Sequence, residues 1–326
     1  MLRLFGPDCM PAPVDPSKVD ALPSGTIWLD LLEPTRDEEA LAERLVGTNI
    51  PTRAELKQIE PSSRLYQSHG AAFMTASVLY GIDEGRPSSD PIGFILTDKY
   101  VVSVRYVDPR PFRIISENLY AEPELATDAR SVFVRLLDGI VDRLADEFEL
   151  AGAEVEAISR RIFDSHTHRA GRGSPELRLA AILMRIGKAE QLLAKLRETS
   201  VSTNRLLTFL ISLEAMEDDH SNRRHVQSLI ADTQALNDHS NFLGDNLTFL
   251  LDATLGLISL QQNTVMKVFS VFAVVFMPPT LIAGIYGMNF EHIPELKWLY
   301  GYPYALVLML ASAVIPYWIS RRRGWL

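Results

Sequence analysis

The chain has one cysteine, Cys9, so it can form no internal disulfide, and that usage fits a reducing cytosol for most of its length. It has no basic excess either. With 32 Lys and Arg against 41 Asp and Glu the formal net charge is -9, whereas a nucleic-acid binder needs a cationic surface to neutralise phosphates, so no nucleic-acid partner is expected. No glycine-rich phosphate loop is present, which leaves ATP-driven work without a site. No catalytic constellation stands out, and the chain is not read as an enzyme. The histidines include the pairs His166/His168 and His220/His225, but without a cysteine cluster they read as surface residues rather than zinc ligands. The N-terminal MLRLFGPDCMPAP has no apolar core long enough for a secretory signal, so membrane insertion is expected to be driven from the other end.

What the chain does have is an apolar C-terminal end. The run VFSVFAVVFMPPTLIAGIY, residues 268–286, is uncharged over about 19 positions, enough to cross about 30 Å of hydrocarbon. A second uncharged run, residues 298–320, has Trp and Tyr at both ends, as an interfacial belt would, and is followed at once by Arg321, Arg322 and Arg323. The positive-inside rule places that triplet in the cytoplasm, and the short connection between the runs then places the N-terminal bulk there too. Both termini are expected to be cytoplasmic in a bacterial inner membrane, with the lipid bilayer as a partner. The bland alternative is two buried helices of a soluble core.

Upstream the pattern divides. Strand-like and helix-like pieces alternate up to about residue 125: TIWLDLL, a charged helix DEEALAERLV closed by Gly47, FMTASVLYGI, and a hairpin IGFILTDKYVVSVRY turning at Asp98-Lys99. Beyond the Pro-rich DPRPF and the acidic NLYAEPEL, apolar residues recur at three- and four-residue spacing through residues 126–262. The last of these stretches, from Arg223 onward, contains no proline before it enters the first apolar run, so a helix about 90 Å long is expected. Such a rod must bundle, either with preceding helices or with copies of itself. The reading is an α+β membrane protein: a cytoplasmic α/β domain over 1–125, a helical stalk bundle over 126–262, and a transmembrane domain over 263–326.

Along the first span, Asn263, Met266, Ser270, Ala273, Met277, Thr280, Gly284 and Gly287 recur at three- and four-residue steps, nearly all small, polar or soft. Bulky Val268, Phe272, Val275, Phe276 and Ile282 hold the neighbouring faces. Such a stripe lets helices pack closely or lines a pore, and the residues alone leave both open.

The segment GIYGMNFEHIPELKWLYGYPYAL with its basic end resembles the signature of the CorA family of divalent-cation transporters, in which Gly-Met-Asn closes the first of two transmembrane helices. The resemblance extends through NTVMKVFSVFAVVFMPPTLIAGIYG and, more weakly, through IWLDLLEPTRDEEALAERL and LTDKYVVSVR. It implies a homopentamer whose pore is lined by the first span, Gly287, Met288 and Asn289 as selectivity filter, and a large apolar gate residue at Phe269, beside Ser270. Mg²⁺ gives up its octahedral water shell reluctantly, so a ring of neutral Asn289 amide oxygens can hold the ion through its waters. Glu291 and Glu295 form an acidic rim that concentrates cations, or else an ordinary solvated loop. Met266, Met277 and Phe269 can close a pore by dewetting. No cofactor is expected beyond Mg²⁺ itself, as cargo and as regulator. For the regulatory ion the family's acidic pair does not map cleanly, leaving Asp232, Glu217, Asp218 and Asp219 as candidates, with solvated surface charge as the alternative. Co²⁺, Ni²⁺ or Zn²⁺ transport on the same scaffold stands as the nearer rival, and a non-conducting membrane-anchored scaffold or sensor as the distant one.

Overall fold

The computed structural model describes the whole chain except residues 8, 10–12, 17–18, 20, 59, 83–84, 164–174, 218, 289–293, 295–297 and 324–326. The N-terminal part is built on six strands: β1 (Leu2–Phe5), β2 (Trp28–Leu32), β3 (Leu65–Ser68), β4 (Ala71–Tyr80), β5 (Ser88–Leu96) and β6 (Val101–Arg105). They form one sheet in the order β1-β2-β6-β5-β4-β3. All neighbours are antiparallel except β2 and β6, which run parallel with Asp30 opposite Ser103. The β5–β6 hairpin expected around Asp98-Lys99 is present, with Leu96 paired to Val101.

Between β2 and β3 lie α1 (Arg36–Val46) and the short α2 (Arg53–Leu56) and α3 (Pro61–Arg64). Helix α1 starts in a capping box: Thr35 accepts from Glu38 N–H, and the Glu38 carboxylate accepts from Thr35 N–H at 2.8 Å. The same carboxylate accepts from Leu2 N–H at 3.0 Å, tying β1 to the helix start. Gly47 ends α1 with φ 80°, a left-handed conformation that glycine adopts without Cβ strain. One face of the sheet buries Leu2, Leu4, Leu29, Leu31, Ile95, Val102 and Val104 against Leu41 and Leu56. Aromatic rings pack in a second core, where Phe94 stacks on Phe112 at 6.2 Å and meets Phe133 tilted at 5.2 Å.

The Pro-rich stretch opens a helix, α4 (Arg110–Ala121). Pro109 caps it and Pro111 sits in its first turn, where the missing N–H has no intrahelical partner to lose. Three long helices follow, α5 (Ala129–Phe163), α6 (Pro175–Ile211) and α7 (His220–Tyr286), then α8 (Gly301–Arg322). The uninterrupted helix expected from Arg223 into the first apolar run is therefore observed, 67 residues long.

The chain divides into two compact units, Met1–Gly171 with Ala181–Leu250, and Arg172–Ala180 with Leu251–Leu326. In the first, α5 and α7 run parallel, as the contacts Ser131–Asn222, Asp138–His225, Phe148–His239 and Phe163–Phe249 ascend together. Helix α6 runs against them: Arg185 meets Glu154, Arg197 meets Ser240, and Ser200 meets Thr233. Val226, Leu229, Thr233, Ser240, Leu243, Leu247 and Leu250 form the buried seam of α7, at the three-and-four alternation of coiled-coil packing. In the second unit, the C-terminal part of α7 and the whole of α8 are each long and apolar enough to cross a membrane.

Candidate functional site: the apolar end of helix α7

The stripe foreseen along α7 is exposed on the chain. Met266, Phe269 and Met277 are 63%, 67% and 68% exposed, and Asn263, Ser270, Ala273, Thr280 and Gly284 are exposed beside them. Large apolar side chains left bare on an apolar helix need lipid or another copy of the chain to cover them. Ser270 and Thr280 donate their hydroxyl hydrogens to carbonyls one turn back, Met266 O at 2.8 Å and Phe276 O at 2.7 Å. Each hydroxyl oxygen is thereby left as an outward acceptor. Pro278 and Pro279 lie inside the helix, where each removes a backbone donor and weakens the ladder.

Asn263, Met266 and Ser270 share a cavity of about 490 Å³ with Leu260, Thr264, Lys267, Val271, Val274 and Ser320 of α8. Within one chain this part of the stripe thus borders α8 instead of standing apart from it. At the other end α7 stops at Tyr286, and Gly287 N–H closes the last turn on Ala283 O at 2.9 Å. A Cβ on Gly287 would lie 3.0 Å from that same carbonyl, so the turn is tight against its own helix. Met288 is 49% exposed. Asn289, Glu291 and Glu295 fall outside the described residues, as do Asp218, His166 and His168. At the far end of α8 the Arg322 guanidinium sits 3.5 Å from the Trp318 ring, a charged head resting on an aromatic of the kind found at membrane interfaces.

The regulatory candidates are scattered within the chain. Asp219 caps α7, its two carboxylate oxygens taken by Asn222 N–H at 3.0 Å and the Asn222 amide at 2.7 Å. Glu217 follows the 3-10 turn Glu214–Met216. Asp232 lies more than three turns further along α7 and faces other carboxylates, which the sequence reading passed over. Burial, then the charges of Asp138, Asp146 and Asp232, push the Asp142 carboxyl above its usual value, while His225 opposes them. His225 Nε2 is 3.0 Å from Asp138. The missed signal is the four-residue spacing of Asp138, Asp142 and Asp146, which puts all three on one face of α5. Among the described residues no three His, Cys, Asp or Glu converge as a metal-binding group.

Set against known proteins, residues 23–322 match the model of the CorA-like Mg²⁺ transporter protein family. The chain belongs to the CorA family. It is 30% identical over 314 residues to the magnesium transport protein CorA of Sodalis glossinidius, covering 95% of this chain and 96% of that protein. It is 30% identical over 300 residues to the Escherichia coli K12 protein of the same description, covering 92% of each. The fold of this CorA-family chain is that of the complete CorA magnesium transporter from Methanocaldococcus jannaschii, with TM-score 0.78 at 17% identity over 100% of this chain and 98% of that one. The full-length CmaX protein is also similar, with TM-score 0.68 at 16% identity over 95% and 92% of the two chains. The family is one of transporters.

Proposed function

We propose that the chain is a magnesium channel through which Mg²⁺ enters passively, driven by the membrane potential. The observation that carries the reading is the placement of Gly287-Met288-Asn289 at the end of an uncharged run that continues α7 without a break, in a chain of the CorA family. Copies of the chain, five by family resemblance, surround a pore with α7 innermost, and Asn289 holds the hydrated ion through its waters. The outward hydroxyl oxygens of Ser270 and Thr280 suit that cargo, since they accept hydrogen bonds from its water shell. Glu291 and Glu295 gather cations at the outer mouth. Both termini lie in the cytoplasm of a bacterial cell whose inner membrane holds the spans. A doubly charged ion crossing 100 mV gains about 4.6 kcal/mol, so no ATP is needed. Co²⁺ and Ni²⁺ are further cargo for the same filter, whereas Met288 and the EHIPEL loop favour magnesium over zinc.

The experiment is uptake into liposomes that contain the purified protein and a Mg²⁺-sensitive dye, with an imposed negative internal potential. Flux that follows the potential is expected. Sealed liposomes showing no flux for any divalent ion would favour the non-conducting scaffold.

A further inference from the structure

Helix α6 crosses the sheet at an open edge. Strand β3 starts at Leu65 opposite Met74, so past that point the outer edge of β4 has no strand beside it. There Ser77 N–H donates to Ser202 Oγ of α6 at 2.9 Å. On β5, the next strand in, Ser89 Oγ donates to Glu198 at 3.0 Å, so α6 passes outward from β5 to β4, and one turn further on it carries Arg205. A cavity of about 410 Å³ lies along this crossing. Three arginines border it, Arg64 just ahead of β3 and Arg197 and Arg205 of α6, together with hydroxyl residues Thr75, Ser77 and Ser202. Among the described residues none of the three guanidiniums is ion-paired. Arg64 Nε donates to the Gln58 carbonyl at 2.6 Å, Arg197 donates to Ser240 Oγ and O at 3.2 and 3.3 Å, and Arg205 makes no hydrogen bond. Two carboxylates also border the cavity. Glu198 is taken by Lys195 at 3.0 Å and by Ser89, and Glu190 stands about 22 Å before Arg205 along α6, at 1.5 Å per residue.

We propose that the arginine end of this groove binds a phosphate-bearing small anion. The guanidinium fork meets two oxygens of a phosphate at once, and such charge-assisted bonds are about twice as strong as neutral ones. Ser202 Oγ accepts from Ser77 N–H, so its own O–H hydrogen is left to donate to a ligand oxygen. A metal cation is repelled by the same wall. The cavity is larger than one phosphate fills and lies in the size range of small-molecule sites, so it suits a di- or triphosphate running from Arg205 toward Arg197. All the lining residues belong to the first compact unit and none to the apolar runs, so this binding stands apart from the channel reading above. An anion held there ties β4 and the start of β3 to α6.

The test uses thermal melts of the purified full chain in detergent, in buffer free of divalent ions because phosphates chelate them. Sodium phosphate or sodium tripolyphosphate is titrated at constant ionic strength, balanced with NaCl. A saturable rise in Tm of a few degrees is expected with at least one of the two. A rise with inorganic phosphate assigns a single phosphate to the arginine end, and a rise with tripolyphosphate alone assigns the length of the groove to a polyphosphate. Arg205 is exposed and bonded to nothing among the described residues, so its replacement leaves the fold intact. Arg205→Gln and Arg64→Gln are each expected to move the midpoint to about 10- to 100-fold higher ligand. Arg224→Gln, an equal loss of charge at an exposed arginine bonded to the His220 carbonyl of its own helix, is expected to keep the parent midpoint. Melts that match NaCl alone for both phosphates, or a midpoint that moves as far in Arg224→Gln as in Arg205→Gln, overturn the proposal.

Discussion

Arg105 is fully buried, and its guanidinium makes a two-pronged contact with Asp30 at 2.9 and 2.8 Å and a third with Asp108 at 2.6 Å. Burial alone would lower its proton affinity, but the Asp30 carboxylate outweighs that, so the group stays charged. Ser103 donates to Asp30 at 2.7 Å and accepts from Trp28 at 2.9 Å, so the pair closes the β2–β6 crossing within a hydrogen-bonded network. Asp30→Ala leaves a charge buried without its main partner and should cost about 3–5 kcal/mol, read as a large drop in Tm of the purified protein. A second residue works in the opposite sense. Because the folded state raises Asp142, that carboxyl favours folding only while protonated, and its contribution is lost as pH rises through its folded value. Asp142→Asn should therefore raise Tm near neutral pH and leave it unchanged well below pH 4, in thermal melts across that range. At the proposed filter, Asn289→Ala is expected to abolish liposome uptake with expression and assembly intact, and Asn289→Asp to bind Mg²⁺ more tightly and conduct more slowly. Normal flux through Asn289→Ala would sink the filter assignment.

Helix α7 was the most legible element, because forty residues without proline, repeating apolar side chains in threes and fours, have no other regular structure open to them. The hairpin and α1 were legible for equally local reasons, a turn at Asp98-Lys99 and a charged run closed by Gly47. Two kinds of feature were not. Strand β1 is four residues long between chain start and Gly6 and pairs with β2 only after the intervening loop has folded back, so nothing in its own pattern announces it. Likewise the parallel β2–β6 pairing joins residues some 73 positions apart, as in the Ser103–Asp30 bond, which is a tertiary fact. At the site, the stripe on α7 was readable as a period, but which face looks into a pore depends on neighbouring copies that no single chain specifies. If Met277 forms an apolar collar, Met277→Ser wets the constriction and raises Mg²⁺ leak from loaded liposomes, and the same change at Phe269 should act likewise. Leak equal to the parent at Met277 would mean that this face packs against a neighbouring helix.

A pore that admits a divalent ion down the membrane potential would overload the cell unless something closed it. At the scale of the whole molecule the chain carries net charge -9, carboxylates of its helical bundle repel one another as Asp142 does with Asp138, Asp146 and Asp232, and the symmetric assembly proposed above would repeat every such face around one axis. Mg²⁺ that bridges carboxylates of adjacent copies would relieve the repulsion and hold a closed ring, whereas its loss would let the copies separate and the pore widen. The ion would then bias a two-state assembly by its preference for one state. Asp219 is the weakest of the four candidates for such a bridge, since capping α7 already uses both its oxygens, and Asp232 is the strongest of those described, being exposed and within electrostatic reach of the Asp142 carboxyl. Limited proteolysis of the purified protein across a Mg²⁺ titration is expected to show protection of the part N-terminal to the apolar runs in the millimolar range. Asp232→Asn should shift that protection to higher Mg²⁺ while leaving the melting of the isolated chain little changed, because the lost charge sits on a solvated face. Cleavage that ignores Mg²⁺ in the parent would remove this regulation and leave the pore untouched.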